Sequence, residues 1–404
     1  MSTVEKKKTG IVRKSALAVA FLATIEVIIM ISPFAGYFYS FFRPFLNIFS
    51  KWELTAWLDG FFLNHALISS SAVLEWQREI GRFLFAIGIW GFLISFVEVY
   101  GRKIFRRGVA RFGLYALVRH PQYLSLAIAG WGLLTIWPRF FLLVLYITML
   151  FVYFLLAAHE EKRMSTLYPD TYPAYAKGKG SFLPGSPGDL LYKHTFGRTP
   201  NRALGFVVSY VTVLAIAITG AFWMRGHVQN SAELVAKPES GVYAFTVWPM
   251  GEEKLTRVVD RVLADSTVNA RMEASGSDVF FLHALPADYG MTGMFYRLEK
   301  QHRPRRHRGG IFLLRVAKYF LLPRPEIHKG SRIMGHPMDE LKVVVSGVYQ
   351  PWRDQVPYDE ALRPGTQMVP LAVAHLNTSN PVDSLKVDIP VPQNAWGDLT
   401  MPIY

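Results

Sequence analysis

Arg119-His120-Pro121-Gln122-Tyr123 opens an apolar run that breaks at Trp137-Pro138-Arg139, resumes from 140 to 158 and closes on Glu160-Glu161. Reading this stretch as a membrane hairpin decides the fold. Proline removes a helical donor and clashes with the turn before it, so Pro138 separates two helices. Both arms approach the ~20 apolar residues that a bilayer crossing needs. Ionisable side chains are costly inside such a layer. Arg119, His120, Glu160 and Glu161 therefore belong at its interface, and the hairpin brings them to the same side.

Working outward, further apolar runs at 16–37, 82–99 and 203–224 predict additional spans, about five in all. The stretch 41–70 carries Arg43, Lys51, Glu53, Asp59 and His65 among aromatics, which suits an interfacial or re-entrant segment better than a span. Charge asymmetry supports that choice. The loop 101–120 holds Arg102, Lys103, Arg106, Arg107, Arg111 and Arg119 without an acid, and the positive-inside rule places such a loop in the cytoplasm beside a basic N-terminus. A sixth span at 41–70 would push it outside.

The apolar character falls after Trp223. Runs at 241–248, 278–284, 341–349, 370–376 and 385–391 are β-branched and bounded by turn residues, so they predict strands. Residues 255–264 have helical periodicity. The expected fold is a membrane all-α part with about five transmembrane helices over 1–225 (core 80–190), followed by a soluble α+β domain over 226–404. An odd span count leaves Met1 cytoplasmic and the C-terminal domain outside the inner membrane.

Composition narrows the function. The chain has 404 residues, 51% of them hydrophobic, and a net charge of +14. The basic residues sit beside apolar runs, which favours lipid head groups over nucleic acid; the cluster 300–308 precedes an amphipathic run at 311–322 and reads as a membrane-surface patch. The chain contains no cysteine, so thiolate catalysis, zinc-thiolate sites and disulfides are excluded. The sequence also lacks the usual metal, P-loop and dinucleotide motifs, and no metal is expected. The basic start and long apolar run at 16–39 predict an uncleaved first span rather than a signal peptide. Glu26, inside that span, predicts an ion pair with Arg82 or a place at the substrate entrance.

At the hairpin's open end, Pro121 favours a helix start. A guanidinium, an imidazole and free helix N–H groups together make an anion site. Glu160 and Glu161 supply a cation site next to it. Taken singly, each of these side chains reads equally as an ordinary snorkelling residue. Jointly they suit a ligand with both charges.

The segment 113–184 resembles the membrane methyltransferases that include isoprenylcysteine carboxyl methyltransferase and the phospholipid N-methyltransferases. Gly113-Leu114-Tyr115 leads into Val118-Arg119-His120-Pro121, and Glu160-Glu161, Met164, Tyr168, Tyr172, Tyr175 and Phe182-Leu183-Pro184 fall in step with the family's second element. Departures are Ser125 and Pro169, each where the family has glycine, and Lys179-Gly180-Ser181 in place of Val-Pro-Arg.

The resemblance implies S-adenosylmethionine held by Arg119, His120, Tyr123, Glu160, Glu161, Tyr172 and Tyr175, with Gly91 allowing close approach of the cofactor or of a neighbouring helix. It implies catalytic duties for Glu160, Glu161 and Arg119, with methyl transfer to a lipophilic or lipid-linked acceptor. Membrane lipids are the expected partners, and a protein partner for the C-terminal domain stays open. Two alternatives remain: a sterol- or prenyl-type reductase using NADPH, whose RHPxY-like element is similar, and a non-catalytic membrane-anchored binding protein.

Overall fold

The computed structural model describes residues 28, 30–37, 39–40, 43–63, 72–105, 108–197, 199, 201–231, 233–246, 250–287, 296–298, 340–378 and 385–392. Its first half is helical: α1 (Arg43–Ser50), α2 (Glu53–Ala56), α3 (Ala72–Ile104), α4 (Pro121–Ile136), α5 (Phe140–Leu167), α6 (Thr171–Ala176), α7 (Pro187–Thr195) and α8 (Arg202–Ser231). Among the described residues, three stretches, Glu79–Arg102, Phe140–Leu167 and Arg202–Asn230, are long and apolar enough to cross a membrane. The expected run 123–137 becomes α4, with 16 residues, or about 24 Å against a ~30 Å hydrocarbon layer. The run 16–37 lies largely outside the described residues, as do Glu26, His65 and the basic cluster 300–308. Arg82 pairs with Glu79, one turn away, at 3.0 Å.

Helices α3 and α4 pack antiparallel because small residues let their backbones touch. A Cβ added to Gly88 would lie 2.4 Å from the Ala129 nitrogen, and one added to Gly132 would lie 2.4 Å from the Phe85 nitrogen. Helix α5 turns back at Trp137-Pro138-Arg139. The hairpin's two open ends thus meet at residues 119–123 and 157–167.

Residues 43–63 form short helices rather than a span. They fold against the closed end of the hairpin: Phe62 N–H donates to Pro138 O at 2.9 Å and Phe140 N–H to Gly60 O at 3.1 Å. Buried Arg139 pairs with Asp59 at 2.5 Å, whose other oxygen takes the Ser50 hydroxyl at 2.9 Å.

The second half contains α9 (Glu252–Leu263) and α10 (Ser266–Ala274) on a six-stranded mixed sheet. Its strands are β1 (Leu234–Lys237), β2 (Val242–Thr246), β3 (Phe280–Pro286), β5 (Glu340–Tyr349), β6 (Gln367–Asn377) and β7 (Lys386–Asp388), in that spatial order. A separate pair joins β4 (Tyr296–Leu298) to β8 (Pro390–Pro392). Only β2 and β3 run parallel, across the crossover made by α9 and α10; the other neighbours are antiparallel. Leu255, Val258, Val259 and Val262 of α9 enter a single apolar core with Val343, Val345, Ala372 and Ala374.

The sheet meets the helices at the hairpin's closed end. Arg225, buried near the end of α8, donates to the carbonyls of Phe61 and Leu362, and Gln229 reaches the Leu362 carbonyl at 3.2 Å. On the exposed rim, Glu53 pairs with Arg363 at 2.8 Å and with Arg353 at 3.5 Å.

Candidate functional site

At the opposite, open end lies a cavity of about 390 Å³. Its wall is built from four places in the chain: Val99, Tyr100 and Arg102 of α3; the turn from Gly108 to Tyr115; Arg119, His120, Gln122 and Tyr123; and Glu160, Arg163, Met164, Leu167, Tyr168, Tyr172 and Tyr175. Met30 closes its inner side. Volume and lining both suit an amphipathic small molecule.

The local sequence explains the positioning. Pro121 starts α4 with His120 at the cap, so the imidazole sits where the helix leaves the polar surface. Residues 118–120 are pinned from the side by 180–181. Arg119 N–H donates to Gly180 O at 3.0 Å, and His120 N–H to Ser181 O at 2.9 Å. Gly180 has to be glycine, because an added Cβ would lie 1.7 Å from the Leu183 oxygen.

On this frame the charged groups converge. Arg119 Nη1 lies 3.0 Å from Glu161 Oε2. His120 Nε2 is 2.9 Å from Glu161 Oε1, and its Nδ1 is 3.5 Å from Glu160 Oε2. The Arg119 guanidinium also donates to the Ser181 hydroxyl at 2.5 Å. His120 is buried. Burial is the largest single influence on it and favours the neutral ring. The hydrogen bonds and charges of Glu160 and Glu161 together outweigh burial, and its pKa is raised. With a carboxylate at each ring nitrogen, the charged form can donate from both sides.

Tyr115, Tyr172 and Tyr175 form a buried part of the cavity wall. Tyr175 donates to Tyr115 O at 2.8 Å, and Lys179 lies over the Tyr175 ring at 4.1 Å. Burial first, then the charge of Glu98, pushes the Tyr175 hydroxyl up to about 12. Burial also raises Tyr115 and Tyr172. All three stay neutral near pH 7 and serve as ring surface and hydrogen-bond donors.

Thus Arg119, His120, Tyr123, Glu160, Tyr172 and Tyr175 line one cavity. Glu161 stands just behind the wall, bonded to Arg119 and His120. Gly91 does not line it; a Cβ there would lie 2.6 Å from the Ser125 hydroxyl. Ser125, one of the departures from the family pattern, therefore points towards α3 rather than into the cavity. Sequence reasoning passed over Tyr100, Arg163 and Ser181. The first two are α-helical positions whose facing only packing reveals. Ser181 was visible merely as a departure. No group of three or more His, Asp or Glu that could hold a metal ion occurs among the described residues.

Comparisons of the chain with protein-family models, curated proteins and solved structures gave no match, including to the methyltransferases its motifs resemble.

Proposed function

We propose that the protein is an integral membrane methyltransferase that takes its methyl group from S-adenosylmethionine and passes it to a lipid or lipid-linked acceptor. One observation carries this reading: a cavity of about 390 Å³ at the mouth of an apolar hairpin unites Glu160 with Arg119, His120 and a set of neutral tyrosines. The bound cofactor would supply an electrophilic methyl on a sulfonium, together with an amino-acid end of both charges. The residues present fit that molecule. Arg119 and His120 would hold its carboxylate, Glu160 would face its sulfonium, and Tyr123, Tyr172 and Tyr175 would offer ring faces for its flat and cationic parts.

Transfer of a methyl group needs alignment and exclusion of water more than covalent help. Here Tyr172 and Tyr175, buried in the wall, would help exclude water. His120, whose pKa the two carboxylates raise, would serve as a hydrogen-bond donor from a ring nitrogen. The apolar portion of the wall, Met30, Val99 and Leu167, favours an acceptor with a hydrophobic body and its reactive head at the interface. The basic loop 101–120 favours a cytoplasmic site in the inner membrane, in an arrangement of about five spans that leaves the sheet on the other side. Membrane lipids are then both surroundings and source of substrate.

The test is calorimetry on the full chain in detergent with S-adenosylmethionine and, separately, NADPH. Binding of the first alone supports the proposal, and binding of NADPH alone overturns it in favour of a reductase. Radiolabelled methyl transfer in membranes with and without the protein then identifies the acceptor by extraction: label in the lipid phase is expected, and label confined to small aqueous molecules refutes a lipophilic acceptor.

A further inference from the structure

The two adjacent glutamates are placed very differently. Successive residues of an α-helix are turned by about 100°, so Glu160 shares a face with Met164 and Leu167, which line the cavity with it. Glu161 is rotated off that face towards residues 119–120 and 181. Its oxygens are committed: Oε2 to Arg119 at 3.0 Å, and Oε1 to His120 at 2.9 Å and to the Ser181 hydroxyl at 3.4 Å. Among the described residues Glu160 has one long polar contact, 3.5 Å to His120, and its side chain is 40% exposed against 25% for Glu161.

We infer that the pair divides its labour: Glu160 recognises the sulfonium charge of the ligand, whereas Glu161 is a positioning residue that fixes Arg119 and His120 with the help of Ser181. This rests on the methyltransferase reading above. A carboxylate whose lone pairs are already taken by a guanidinium, an imidazole and a hydroxyl has little left for an incoming cation. Releasing Glu161 would also leave Arg119 without its partner beside the wall. Glu160 needs no such rearrangement, because it already faces open volume. Ser181 belongs to the positioning set for the same reason. Its backbone carbonyl holds the His120 N–H while its side chain bridges Arg119 and Glu161. A neutral hydroxyl thus completes the frame without adding a charge.

The experiment compares S-adenosylmethionine with S-adenosylhomocysteine by calorimetry on the full chain in detergent. The demethylated form lacks the sulfonium charge but keeps the zwitterionic amino-acid end, and so carries no net charge. Glu160→Gln should weaken the cationic ligand about tenfold or more and leave the neutral one within about twofold. Glu161→Gln should weaken both by the same factor. Arg119→Met should then cost less affinity in the Glu161→Gln background than in the wild type, and the same in the Glu160→Gln background. Should Glu161→Gln fail to fold, Ser181→Ala is the substitute, again with equal loss for both ligands. Selective loss of the cationic ligand in Glu161→Gln, or identical behaviour of the two variants, overturns the division. A wild-type protein that binds neither ligand overturns the methyltransferase reading instead.

Discussion

Two buried histidines, one at each end of the molecule, behave in opposite ways. His120 lies between two carboxylates at the open end of the helical hairpin. His283 lies in β3 between the rings of Phe245 and Phe281, and neither of its ring nitrogens has a hydrogen-bond partner among the described residues. Burial acts on both in the same direction. At His120 it is outweighed by the glutamates and the pKa is raised; at His283 it acts alone and lowers the pKa to about 3. The difference teaches that burial says little about a charged site until its partners are known. One end of the protein favours charge on its histidine, and the other expels it.

The largest expected effect tests a buried pair at the closed end, where charge is matched rather than expelled. Arg139 pairs with Asp59 at the closed end of the hairpin, with both side chains buried. Arg139→Met leaves that carboxylate without its guanidinium and should cost about 3–5 kcal/mol, read as a lower melting temperature of the full chain in detergent. A change below about 1 kcal/mol would place the pair among exposed ones.

Next comes His283. Its folded pKa is depressed, so its ordinary, unfolded form takes up protons first as pH falls. The sheet should keep full stability above about pH 6.5 and lose it progressively towards pH 3. His283→Leu removes an unsatisfied polar group and should raise stability by about 1–3 kcal/mol and flatten that acid slope, measured by hydrogen exchange of the β3 and β5 amides. An unchanged slope would show that another group carries it.

His120 gives the mirror image. Its folded pKa is raised, so its stabilisation is complete below about pH 6.5, the ordinary histidine value, and is lost as pH rises through the raised value. His120→Ala should weaken S-adenosylmethionine about tenfold or more, roughly 1.4 kcal/mol, with binding that no longer declines on the alkaline side. Affinity that holds in a folded variant would remove His120 from the site. The smallest effect belongs to the rim. Glu53→Ala cuts the exposed pairs to Arg353 and Arg363 and should cost less than about 1 kcal/mol, fading further in high salt.

Much of this was legible along the chain. Residues such as Val343, Val344 and Val345 mark a strand wherever they stand, because β-branching and turn boundaries are local properties. Pro138 marks the hairpin's turn, and the pairing of Arg119-His120 with Glu160-Glu161 follows once that turn is accepted. The expected stretch 41–70 also proved to hold short helices over its described part.

Other features depended on what packed against what. Gly91 reads as a place for a cofactor or for helix packing, and the structure sets it against Ser125; no linear pattern tells which neighbour a helical glycine will face. β1, α10 and the parallel pairing of β2 with β3 escaped notice, since strand order depends on contacts between distant residues.

The sequence by itself determined where the apolar helices of the described residues lie, most of the strands of the sheet, and which charged residues gather at the hairpin's mouth. Each of these follows from period, turn chemistry and the cost of charge in an apolar layer. Only the tertiary structure decided that Glu160 faces the cavity while Glu161 braces Arg119, that Ser181 completes the brace, and that the sheet docks through Arg225 at the far end. Those outcomes turn on a rotation of about 100° between neighbours on a helix and on which distant segment fills the space beside it.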